Sequence, residues 1–180
     1  SLSAIGILDS GATGVLTTLN ITDNSISNLN VNTANWPIGK IAYGILINVG
    51  GGSGYLTTTG KVVDATISGN TISDLEGFIS TGIGLEGNTE NAVVSLNRVS
   101  NLTGYKLAVA GRSGGGYDLN GLKFENNRFV GTITVENNSF AADTYVYGPG
   151  PTAGRGNADA NYVPSSDGGA ATLNCNWFGT

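Results

Sequence analysis

The sequence contains no histidine and no methionine, a single cysteine and only four prolines in 180 residues. The missing histidine excludes Ser-His-Asp and Cys-His nucleophile arrangements and the common imidazole metal sites. Cys175 stands alone, so it makes no internal disulfide, lacks the usual base partner, and reads as a small buried hydrophobe. Charge is also scarce: charged residues make up 12% of the chain, about half the usual quarter. Lysine and arginine number eight against thirteen acidic residues, giving a net charge of −5 and a pI near 4.4. Nucleic acid is excluded as a partner, because a phosphate-binding surface needs clustered basic side chains and no two here are adjacent. No apolar run approaches the ~18–20 residues needed to span a bilayer, so no membrane insertion is expected. Ser1 is not followed by a basic and then an apolar stretch. The expectation is a removed leader or, preferably, a piece of a longer protein, since residues 176–180 read as the middle of a repeat.

Glycine is what the chain has in excess, 29 residues, more than double the usual ~7%. Asn, Thr and Ser are abundant, and the apolar 39% is carried mostly by Val, Ile and Leu. This composition suits short strands joined by turns and predicts a single all-β domain over residues 1–180. The apolar residues are too many and too regularly placed for a disordered chain.

One pattern recurs: an alternating strand, a turn centred on Asn, then a short apolar strand. It runs through Leu19–Ile26, Ala65–Ile72, Val93–Val99, Leu122–Phe129, Ile133–Phe140 and Leu173–Phe178, with an apolar residue two places after the Asn. Several copies close alike, as in Ser27-Asn28-Leu29, Ser73-Asp74-Leu75 and Ser100-Asn101-Leu102. A weaker unit, a short strand often flanked by glycine, precedes most copies: Ile5–Leu8, Gly44–Ile47, Gly82–Leu85, Lys106–Val109 and Tyr145–Gly148. Between the two units lies a Gly-rich segment of varying length. The Ile133 copy follows its predecessor too closely for a full coil, which leaves Asn138 without a settled place.

These units resemble the parallel β-helix repeats of the pectate-lyase-like superfamily, and the resemblance covers most of the chain. The ending Asn176-Trp177-Phe178-Gly179 is similar to segments of bacterial surface β-helix proteins. The implied fold is a right-handed parallel β-helix, a solenoid of about six or seven coils, with Asn-containing turns and Gly-rich loops at one corner. Alternate apolar residues would line its interior, and equivalent strands would pair in parallel about 4.8 Å apart. Asn24, Asn70, Asn97, Asn127 and Asn176 are the candidates for a structural ladder, each tolerating αL geometry and bonding its amide along the axis. The alternative is isolated turn asparagines. No amphipathic helix caps either end, so bare ends suited to stacking are expected.

Chemistry is harder to find. Lyases of the superfamily use clustered Asp or Glu for Ca²⁺ with an Arg or Lys base, and the related hydrolases use paired aspartates. This chain has no Asp-Asp pair and no Arg-x-Lys, and its carboxylates are dispersed. Glu86 and Glu90 share one loop. Glu125 and Glu136 occupy similar positions in neighbouring units, where they would form either a Ca²⁺ site or a solvated acidic face. Arg98 and Arg128 are expected one above the other. Gly50-Gly51-Gly52 and Gly114-Gly115-Gly116 lack a strand-to-helix fingerprint and read as corners. The corner loops carry Tyr55, Arg112, Tyr117, Asp118, Arg155, Asp159, Tyr162 and Asp167, aromatic and polar side chains suited to binding a glycan or a protein. Trp36 beside Pro37 is a further candidate for an exposed aromatic. Asn20, Asn101 and Asn137 lie in Asn-x-Ser/Thr sequons.

The expectation is therefore an extracellular or cell-surface structural module (stalk, filament or adhesin domain) without cofactor or catalytic residues. Its partners would be itself or neighbouring domains stacked end to end, and a glycan. A polysaccharide lyase or hydrolase fragment is the alternative.

Overall fold

The computed structural model describes residues 2–9, 15–31, 41–49, 61–87, 89–112, 116–117, 124–125, 131–149, 151–153, 162–165 and 170–179. Among them every regular element is a strand. The chain opens with β1 (Leu2–Asp9), β2 (Val15–Thr17), β3 (Asn20–Thr22), β4 (Ser25–Ile26) and β5 (Leu29–Asn30). It continues through β6 (Ile41–Val49), β7 (Lys61–Val63), β8 (Thr66–Ser68) and β9 (Thr71–Glu76). Then come β10 (Ile79–Gly87), β11 (Thr89–Ser95), β12 (Arg98–Leu102), β13 (Tyr105–Arg112), β14 (Gly116–Tyr117) and β15 (Phe124–Glu125). The last are β16 (Gly131–Glu136), β17 (Ser139–Ala141), β18 (Tyr145–Pro149), β19 (Pro151–Ala153), β20 (Tyr162–Ser165), β21 (Ala170–Asn174) and β22 (Trp177–Gly179).

All of these strands except β14 and β15 make three parallel sheets. Sheet A is ordered β1-β6-β10-β13-β18-β20. Sheet B runs β19-β21-β16-β11-β7-β2, with β3 pairing β8 and β8 pairing β11. Sheet C runs β22-β17-β12-β9-β4, with β5 also on β9. From β1 to β18 the parallel strands visit A, B and C in that order, as in a β-solenoid, after which β19 joins B, β20 A, β21 B and β22 C.

The register shows why these residues choose these strands. Ile5, Ile45, Ile83, Val109 and Val146 stack in sheet A. Ile21, Ile67, Val94, Val135 and Leu173 stack in sheet B. Ile26, Ile72, Val99, Phe140 and Phe178 stack in sheet C. All three columns converge on one core. β-Branched side chains dominate because they fit a pleated, packed surface.

Between and within the strands the chain bends at residues of positive φ, and these also stack. Thr18, Asp64 and Asn91 form one such column; Asn28, Asp74 and Asn101 form another. Each resets the alternation, so that Ile72 and Leu75, or Val99 and Leu102, both point inward three residues apart. The third column is Asp23, Gly69, Leu96, Asn137 and Cys175. It immediately precedes the turn asparagines, so the αL residue is the neighbour before each ladder Asn rather than the Asn itself. This also corrects the expectation for Cys175. A residue at that bend projects outward, and the thiol is exposed.

Two further expectations change. Phe124–Glu125, inside the Leu122–Phe129 copy, pairs antiparallel with β14 and stands outside the parallel sheets, whereas the Ile133 copy supplies β16 and β17. The C-terminal edge is not bare either: β20 lies beyond β18 in sheet A, and β19 beyond β21 in sheet B. Strands, not a helix, cover it.

Candidate functional site

The turn between sheets B and C is built by the asparagine column. The Asn70 carboxamide oxygen accepts from the backbone N–H of Asn24 at 3.0 Å and from its Nδ2 at 2.9 Å. Asn97 accepts from Asn70 in the same way, at 3.0 and 2.9 Å. Asn138 accepts from Asn97 at 2.9 and 3.0 Å, and Asn176 accepts from Asn138 at 3.2 and 2.8 Å. Each of the last four also donates an Nδ2 hydrogen back to a sheet B carbonyl: Asn70 to Ile21, Asn97 to Ile67, Asn138 to Val94 and Asn176 to Val135. The last four asparagines are buried. Each hydrogen bond contributes about 1 kcal/mol net, while an orphaned buried amide costs about 1–3 kcal/mol, so the column's worth lies mainly in its completeness.

Asn24, Asn70, Asn97 and Asn176 thus each hold a rung of the column. Asn127 lies outside the described residues, and Asn97 bonds directly to Asn138, which takes the rung between Asn97 and Asn176.

The corner-loop candidates fare differently. Tyr55, Asp118, Arg155, Asp159 and Asp167 lie outside the described residues, as do Trp36 and Arg128. Arg112 ends β13, Tyr117 sits opposite Phe124 in the β14–β15 hairpin, and Tyr162 opens β20. Glu136 neighbours Ser95 and Asn174 instead of Glu125, which lies on the hairpin, so the expected acidic stack is not formed. Arg98 neighbours Thr71 and Ser139 instead of another arginine. Glu90 is bonded to Lys61 at 3.0 Å, and Lys106 pairs with Asp143. Among the described residues no cluster of three acidic or thiol groups could hold a metal ion.

What the structure does assemble is a pair of grooves on the outer face of sheet C, which sequence reasoning missed. One, about 580 Å³, is lined by Asn28, Asn30, Asp74, Glu76, Asn101 and Thr103 over Leu75 and Leu102. Its polar side chains are held in place: Asn101 Nδ2 donates to Asp74 at 3.2 Å, Ser73 Oγ donates to Asp74 at 2.7 Å, and Asn30 Nδ2 donates to Glu76 at 2.6 Å. The other, about 430 Å³, is lined by Arg98, Ser100, Asn101, Ser139, Ala141, Trp177 and Gly179, with Val99 and Phe140, whose side chains are buried, between them. Asn101 belongs to both. The second groove arises because β17 stops at Ala141 while β12 runs on to Leu102. Thr144 closes the early turn, donating its N–H and its hydroxyl to the Ala141 carbonyl at 3.1 and 2.7 Å.

Trp177 is 64% exposed there. A Cβ on Gly179 would meet its Nε1 at 2.4 Å, so the indole rests over the bare Gly179 backbone. The signal in the sequence is the spacing Trp-x-Gly, one strand period of two, which puts both residues on one face. No family model, curated protein or solved structure matches this chain.

Proposed function

We propose that this chain is a structural and adhesive module of an extracellular or cell-surface protein, built as a right-handed parallel β-helix of the pectate-lyase-like type. Among the described residues, strands β1, β6, β10, β13 and β18 would each open a coil. Successive coils ~4.8 Å apart give a short, stiff segment of a longer rod. The observation that carries this reading is the asparagine column, in which Asn24, Asn70, Asn97, Asn138 and Asn176 are bonded one to the next and the end groups have no partner among the described residues. Asn24 offers its carboxamide oxygen at one end and Asn176 its backbone N–H at the other. A neighbouring domain or second copy would continue the stack from the β1–β4 edge, where among the described residues no further strand is paired. The corner loops would add lateral contacts.

Electron microscopy of the native protein tests this. Thin, straight rods or stalks at the cell surface are the expected result. Compact free particles that shorten a polysaccharide would replace this reading with the lyase or hydrolase alternative.

A further inference from the structure

We propose that the step in sheet C binds a neutral oligosaccharide, with the Trp177 indole as its stacking platform. The proposal rests on the adhesive part of the reading above, moved from the loops to a sheet face, and not on the rod.

An indole left 64% exposed on a sheet surface forgoes the burial that usually holds this residue. Here it lies over Gly179 beside a groove lined by Arg98, Ser100, Asn101 and Ser139, so the indole itself supplies the apolar platform for the C–H face of a pyranose and the groove supplies its polar partners. The surrounding groups are Ser139, Ser100 and Asn101, hydroxyls and an amide that both donate and accept, as sugar hydroxyls require. Arg98 is two strands from Trp177 through Ser139, a run of ~10 Å at the parallel-strand spacing, which is longer than a single pyranose ring.

Charge selects among glycans. Beyond Asn101 the surface becomes acidic at Asp74 and Glu76, and the chain as a whole carries −5. A polyanion lying across the step would meet Arg98 and then like charge, whereas a neutral chain would meet only hydrogen-bonding groups. The same charge disfavours nucleic acid, whose bases could stack on the indole but whose phosphates would be repelled.

Isothermal titration of the whole chain with maltohexaose, cellohexaose, chitohexaose and hexagalacturonate tests the proposal. At least one neutral hexasaccharide should bind, and hexagalacturonate should bind at least tenfold more weakly. Trp177→Ala should weaken the neutral ligand at least tenfold. Gly179→Val, which retains the indole but displaces it, should weaken it severalfold. Asp74→Asn with Glu76→Gln should narrow the discrimination against hexagalacturonate. Thermal unfolding of each variant would show that the fold persists. Absence of binding by all three neutral chains, binding indifferent to Trp177→Ala, or preference for hexagalacturonate would overturn the proposal. None of these outcomes would touch the rod.

Discussion

Sheets A and C enclose the same core but treat their outer faces in opposite ways. In sheet A, Ile45, Ile47 and Val109 point inward, and Tyr43, Leu46 and Leu107 on the other face are buried as well, packed with Ile41, Ile79 and Ala110 in a second apolar cluster. Phe78 and Tyr105 extend that cluster edge to face, their ring centroids 5.4 Å apart. In sheet C the inward column of Ile26, Ile72, Val99 and Phe140 is buried, while the outward positions Ser25, Thr71, Arg98, Ser139 and Trp177 are exposed. A parallel sheet covered on both sides reads as a nearly continuous apolar run, and one with a wet face alternates. The difference separates a face that holds the molecule together from a face free to meet a ligand.

Substitutions sharpen that contrast, beginning with the corner that joins sheets B and C. Asn97→Asp should be the most damaging at neutral pH, by about 3–5 kcal/mol, the range for a buried charge without a partner. The new carboxylate would face two acceptors, the Asn138 oxygen and the Ile67 carbonyl. Its folded-state pKa would therefore rise above the unfolded value of about 3.9. A raised carboxyl pKa makes the deficit relative to the unsubstituted chain smallest below about pH 4, growing as pH rises through the folded pKa. Urea unfolding at acid and neutral pH would read it. Leu107→Ala, on the covered face of sheet A, should cost about 2–5 kcal/mol by the same measurement. A small cost would mean that face is open.

Leu96→Asn should have the opposite sign. Leu96 holds φ 57° and is 65% exposed, so a residue at ease in αL should stabilise the fold by about 1 kcal/mol, seen as a higher thermal midpoint. Arg98→Ala and Ser139→Ala, on the open face of sheet C, should change stability by no more than about 0.5 kcal/mol. A larger loss would show that sheet C is covered after all.

The asparagine unit was legible because it combines two physical demands, a turn and an apolar pair, and so recurs in recognisable form. Its count was not. The ladder steps are 46, 27, 41 and 38 residues long, so spacing alone could not decide whether Leu122–Phe129 or Ile133–Phe140 formed a rung. Only strand pairing separates them, and pairing is non-local. The αL columns were hidden for another reason: Leu96 and Cys175 are not residues that announce such a bend. The covered face of sheet A did leave a trace, the apolar run Ile41–Ile47 broken only by Gly44. The sheet C step left almost none. It depends on β17 being shorter than β12, and it brings Trp177 to Arg98 through register rather than proximity in the chain.

One unbroken amide column ties the coils together, and side-chain amide hydrogen exchange followed by NMR is the test. The Asn70, Asn97 and Asn138 Nδ2 hydrogens should be strongly protected, exchanging only with global unfolding, beside rapid exchange at the exposed Asn20 and Asn28. Exchange at Asn97 and Asn138 as fast as at Asn20 would contradict it.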